Sequence, residues 1–87
     1  MKRMKSKREL GIEKLIDQLT LRLLDAQKLL SLLEEELLGY KLDYEESKDE
    51  TLLTYMEETK LDIANTVVEA LALELEIEDL EEEAKTA

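Results

Sequence analysis

From Ile12 onward the apolar residues fall in a 4-3-4-3 spacing, in which Ile12, Ile16, Leu19, Leu23, Ala26, Leu30, Leu33, Leu37, Tyr40 and Tyr44 keep one heptad phase. On a helix this spacing draws a single apolar stripe along one side, and such a stripe needs another helix to cover it. The second half repeats the pattern with Leu52, Met56, Ile63, Ala70, Leu73, Ile77, Leu80 and Ala84, while Thr59 and Thr66 fill the intervening positions of the stripe. Two long helices folded back on each other, an antiparallel αα-hairpin, are the predicted unit.

The limits of those helices are marked by polar residues. Ser6 and Glu9 form an S-x-x-E capping pattern, and Ser47 and Glu50 repeat it just before Leu52. The patterns predict helix 1 over about 7–46, a turn near 47 and helix 2 over about 48–83, with 1–6 as a basic tail and 7–87 as a single domain. Gly39 lies inside helix 1. Tyr40 and Tyr44 continue the stripe beyond it without a slip, which predicts an uninterrupted helix; the alternative is a helix capped at Gly39 and a loop over 40–47. Leu71, Leu73, Leu75 and Ile77 also alternate with Ala72, Glu74 and Glu76 in the period of a half-buried strand. Leu, Ala and Glu favour helix, and no Gly or Pro brackets the segment, so helix is the expectation there too.

Helix 2 has a second apolar flank. Residues two apart on a helix differ by about 200°, so Leu61, Ala64, Val68, Leu71 and Leu75 lie roughly opposite the first stripe. Helix 1 has a weaker counterpart in Leu21, Leu24, Leu32, Leu38 and Leu42. One hairpin covers only one flank of each helix, and a chain of 87 residues buries only about 60% of its unfolded surface when it folds alone. The expected fold class is therefore all-α, a coiled-coil-like two-helix hairpin dimerising into a four-helix bundle, with Leu61, Ala64, Val68, Leu71 and Leu75 as the oligomer interface.

Composition narrows the chemistry. The chain lacks His, Cys, Phe, Trp and Pro. It therefore offers no imidazole base, no thiolate and no soft metal site, and a ferritin-like Glu-x-x-His set is excluded. No EF-hand loop is present. We assign no catalytic, cofactor or metal residue and expect no enzyme activity and no cofactor. The longest apolar run, residues 70–73, is far shorter than the ~20 residues that span a bilayer. No signal-peptide core follows the basic start, so the chain reads as cytoplasmic with no membrane segment.

Charge adds a candidate partner. Lys2, Arg3, Lys5, Lys7 and Arg8 open the chain without an acid, and residues 9–87 then carry seven bases against all 23 acids. An antiparallel hairpin returns the acidic C-terminal segment to those bases, which biases register. The acidic body repels nucleic-acid phosphates within about a Debye length, ~8 Å at physiological salt, so direct duplex binding is not expected. A basic protein surface is the natural complement. The expected function is a non-enzymatic interaction module whose acids, among them Glu34, Glu35, Glu57, Glu58, Glu76, Glu81 and Glu82, stand in for phosphates. In style it is similar to phage or mobile-element proteins that inhibit restriction or CRISPR nucleases by occupying a basic nucleic-acid channel. The alternative is a coiled-coil scaffold subunit, in which the second flank of helix 2 is the working surface. Tyr40, Tyr44 and Tyr55 cluster near the turn, where they close the end of the bundle or anchor a partner. Thr59, Asn65 and Thr66 set register or simply tolerate partial exposure.

A further alternative rests on motifs. Glu45-Glu46-Ser47-Lys48-Asp49 and Glu76-Ile77-Glu78-Asp79 distantly resemble the EExxE and ExxD elements of all-α nucleotide pyrophosphohydrolases of the MazG type, with Asp49 standing where that pattern has Glu. The resemblance implies a Mg2+ site at Glu45, Glu46, Asp49, Glu76 and Asp79.

Overall fold

A computed structural model describes residues 4–86. Two helices, α1 over Lys7–Ser47 and α2 over Thr51–Thr86, make up the fold and run antiparallel as a rod of 68 × 19 × 13 Å. Lys2 and Arg3 of the basic tail lie outside the described residues.

Every position of the predicted stripes faces the seam. On α1 the inward residues are Ile12, Leu19 and Ala26, buried, and Ile16, Leu23, Leu30, Leu33, Leu37, Tyr40 and Tyr44, half-buried. On α2, Met56, Thr59, Thr66 and Leu73 are buried, and Leu52, Ile63, Ala70, Ile77, Leu80 and Ala84 are half-buried. The period-two segment is helical. Leu73 and Ile77 face the seam while Leu71 and Leu75 point outward, so its alternation is the projection of two helical stripes and not of a pleat.

The caps are partly as expected. The Glu9 N–H donates to the Ser6 hydroxyl at 3.1 Å, which starts α1 at Lys7. Helix 1 runs through Gly39 to Ser47, so the alternative of a loop over 40–47 is set aside. Ser47, expected to cap helix 2, does not. Its hydroxyl donates to the Asp43 carbonyl at 2.9 Å, as the last turn of its own helix, and accepts the Asp49 N–H at 3.3 Å. Reversal then occupies residues 48–50. Lys48 adopts the left-handed conformation (φ 57°, ψ 26°), and its N–H donates to the Tyr44 carbonyl at 2.8 Å, ending α1. The cap of α2 passes to Asp49, whose carboxylate accepts the Thr51 N–H at 3.0 Å and the Thr51 hydroxyl at 2.6 Å. Helix 2 therefore starts at Thr51, three residues later than the Ser47 pattern suggested.

The hairpin is pinned at both ends. Near the turn the rings of Tyr40 and Tyr55 stack with centroids 5.7 Å apart, and the Lys48 ammonium lies 5.4 Å from the centre of the Tyr44 ring. The tyrosines do close the end of the hairpin. At the open end Arg8 reaches Glu83 at 3.3 Å, the expected meeting of the basic start with the acidic return segment. Midway, a shallow open depression of about 260 Å³ is lined by Arg22, Asp25, Ala26 and Leu29 of α1 and by Glu69, the neighbour of Ala70, on α2. Ala26 and Glu69 both line it, which places the seam alanines Ala26 and Ala70 near one another along the rod.

The buried threonines are satisfied within their own helix. Thr59 donates to the Tyr55 carbonyl at 2.8 Å and Thr66 to the Asp62 carbonyl at 2.7 Å, and no buried side-chain polar atom among the described residues lacks a partner. Neither hydroxyl bonds across the seam, so their methyl groups are what they offer to α1.

Candidate functional site

What the hairpin leaves uncovered is its most informative surface. Leu61, Val68, Leu71 and Leu75 are 64%, 66%, 54% and 61% exposed, and Ala64 between them is exposed as well. They recur at intervals of three and four along α2, a continuous stripe of roughly 21 Å on the side turned away from α1. Val67 and Ala72, also exposed, widen it. Exposed Leu21, Leu24, Leu32, Leu38 and Leu42 on α1 are broken up by Lys28, Ser31 and Glu35, so α1 has pairs of leucines where α2 has an unbroken band. Single exposed leucines are ordinary on a protein surface, whereas a contiguous stripe at helical spacing is an apolar face that the hairpin itself leaves uncovered.

The charged surroundings of this stripe are asymmetric. Residues 51–56 carry no charge, residues 74–83 carry Glu74, Glu76, Glu78, Asp79, Glu81, Glu82 and Glu83, and Lys60 is the single base of α2 before Lys85. Lys60 stands exposed beside Leu61 and makes a loose ion pair with Glu57 at 3.6 Å. Sequence reading passed over Lys60; its signal is its isolation among acids.

All seven acids expected to meet a basic partner are exposed. Glu34 and Glu35 lie well along α1, Glu57 and Glu58 near the start of α2, and Glu76, Glu81 and Glu82 toward the open end. Glu57 and Glu82 are about 38 Å apart along the helix, and the heptad positions of the seven distribute them around the rod instead of on one face. Glu57 is paired with Lys60, and Glu82 with Lys85 at 3.4 Å.

The residues implied by the pyrophosphohydrolase resemblance are likewise divided. Glu45, Glu46 and Asp49 sit at the closed end, while Glu76 and Asp79 are about 38 Å or more along α2 from its start. Among the described residues no group of three carboxylates is placed to hold a metal ion. Asp49 is engaged as the helix cap, and its hydrogen bonds from Thr51 hold its carboxyl below the ordinary aspartate value. Tyr40 donates to the Glu36 carboxylate at 2.9 Å, which pushes its phenol up, and the Lys5 ammonium is raised by its hydrogen-bonded pairing with Glu13. These perturbations come from exposed local pairs, and none gathers groups around a cleft. No helix of the described residues is long and apolar enough to cross a membrane.

Compared with known proteins, the chain matches no family model, no curated protein and no solved structure.

Proposed function

We propose that this chain is a non-enzymatic protein–protein interaction module that self-associates as a dimeric four-helix assembly and offers the remaining acidic surface to a basic protein. The observation that carries the reading is the exposed stripe Leu61, Ala64, Val68, Leu71 and Leu75. Covering five such residues twice over, once per copy, removes apolar surface worth about 25 cal/mol per Å² from water, the main driving force for association at a helix flank. The acids then serve a different role. Spread around the rod, they keep the assembly soluble and steer basic partners toward it, an effect that fades as salt rises.

Sedimentation equilibrium tests the reading. The wild-type chain forms a dimer at micromolar concentration, while Leu71→Asp with Leu75→Asp leaves a helical monomer, because both residues are outside the seam. A wild-type chain that stays monomeric at high micromolar concentration overturns it.

The same stripe supports a second reading, a coiled-coil scaffold subunit with no basic partner. Charge separates the two: replacing Glu34, Glu35, Glu57, Glu58, Glu76, Glu81 and Glu82 with Gln abolishes capture of a basic protein under the first and leaves assembly and partner binding intact under the second. In either case the working environment proposed is cytoplasmic.

A further inference from the structure

We propose that the occupant of the α2 stripe is the α2 stripe of a second copy, aligned antiparallel about a two-fold axis near Val67 and Val68, so that Lys60 of each copy faces Glu74 of the other. This inference rests on the self-association proposed above and adds its partner surface, direction and register.

Spacing is the first argument. A two-fold axis requires a surface complementary to itself, and the stripe has that property: Leu61 and Leu75 stand equally far from Val68 on either side, with Ala64 and Leu71 between. Reversing the direction of the helix returns nearly the same stripe. Small residues also lie where they are needed, since Ala64, Asn65 and Ala72 let two backbones approach beside the larger leucines.

Charge sets the direction. A parallel pairing lays the acid-rich residues 74–83 of one copy beside those of the other. An antiparallel pairing about Val67 and Val68 lays residues 79–83 of each copy beside the uncharged residues 52–56 of its partner, leaves Glu78 level with Glu57, and spaces the two acidic ends by about 20 Å at Glu74 rising to about 46 Å at Glu83. The register follows from the one base in the region. Lys60 and Glu74 occupy equivalent heptad positions on the same edge of the stripe, at equal distances from Val67, so an axis between Val67 and Val68 keeps the apolar residues centred and brings Lys60 to within about 1.5 Å, one residue rise, of level with Glu74, twice. Flanking charges of this kind select partner and orientation in helical pairs more than they add strength. Lys60 is free to take that role because its pairing with Glu57 at 3.6 Å is loose and solvent-exposed. The α1 helices then lie outside the central α2 pair.

A charge-swap mixing experiment decides the point. Lys60→Glu and Glu74→Lys each place like charges face to face twice in their own homodimer, so each variant alone self-associates about ten-fold more weakly than wild type, while an equimolar mixture restores wild-type affinity as a heterodimer. Direction is read independently with nitroxide labels on Asp62→Cys, Glu69→Cys and Glu76→Cys, three sites on one edge of α2 in a chain with no other cysteine. The antiparallel pair gives axial separations of roughly 17, 5 and 26 Å at the three sites, shortest at residue 69, whereas a parallel pair gives three equal distances. Dimers whose affinity ignores both substitutions, or whose three distances are equal, overturn this arrangement and leave self-association standing. A wild-type chain that shows no dimer at all overturns both.

Discussion

Lys48 holds the left-handed backbone conformation that ends α1, at φ 57°, while Gly39, nine residues earlier, sits in the interior of the helix with ordinary helical geometry. The two residues are in each other's favoured places. A side chain with a Cβ is strained at positive φ, and a glycine inside a helix costs backbone entropy that alanine does not.

Gly39→Ala should therefore stabilise the hairpin by about 1 kcal/mol, since a Cβ at that position meets nothing within 4 Å. Lys48→Gly should add about 1 kcal/mol more, reduced by the loss of the ammonium's contact with the Tyr44 ring. Urea midpoints at one fixed protein concentration measure both, and the double variant should approach the sum. A decrease on Gly39→Ala would mean that the helix is not continuous there.

Leu73 and Leu75 are two residues apart and have opposite roles. Leu73, at 3% exposure, is the most buried side chain of the seam, and Leu73→Ala should cost about 2–4 kcal/mol, enough to unfold much of a two-helix protein. Leu75→Ala should leave helicity in the dilute monomer within about 0.5 kcal/mol of wild type while weakening self-association. Circular dichroism melts combined with sedimentation separate the two effects. Equal losses of helicity would show that Leu75 is part of the monomer's core.

Much of this fold was legible because both seams obey one period. Each stripe residue from Ile12 to Tyr44 and from Leu52 to Ala84 could be placed by heptad phase alone, and the absence of a slip at Gly39 foretold continuity. The alternation at Leu71, Leu73, Leu75 and Ile77 resembled a strand only because two apolar stripes about 200° apart overlap in sequence. The turn was less legible. Ser47 and Asp49 both carry side chains able to cap a helix, and which one acts depends on how many residues the reversal consumes once Lys48 turns left-handed, a three-dimensional constraint that no local pattern encodes. The acids were the least legible: 23 of them among 87 residues leave no contrast by which sequence could single out a face.

Asp49 links the turn to pH. Its hydrogen bonds from Thr51 depress its folded pKa below the unfolded value, so the stabilisation it gives is complete above the ordinary aspartate range, about pH 4, and is lost as pH falls through the lowered folded value. Asp49→Ala should lower the melting temperature at pH 7, and the gap between variant and wild type should narrow as pH falls through the lowered folded value of Asp49. Because the other acids titrate identically in both proteins, the difference between the two melting curves isolates Asp49. A gap that is constant with pH would mean that the carboxylate's charge is irrelevant to the cap.

Thr66 tests what the polar seam positions are for. Its hydroxyl is buried, at 6% exposure, yet it bonds only to the Asp62 carbonyl of its own helix. That carbonyl keeps the regular helical bond from the Thr66 N–H, so removing the hydroxyl leaves no backbone group unsatisfied. Thr66→Val should then be neutral or stabilising by up to about 1 kcal/mol, as a methyl replaces a polar group against the leucines of α1. Thr59, bonded to Tyr55 in the same way, should behave alike. If the threonines instead fix the alignment of the two helices, the double Thr59→Val, Thr66→Val variant would keep its stability and lose its unique register. A cysteine pair at Ala26 and Ala70, crosslinked in the wild-type background, should then close less completely in the variant. We expect equal closure in both, because the Tyr40–Tyr55 stack and the Arg8–Glu83 pair hold the ends of the hairpin in place whatever stands in the middle.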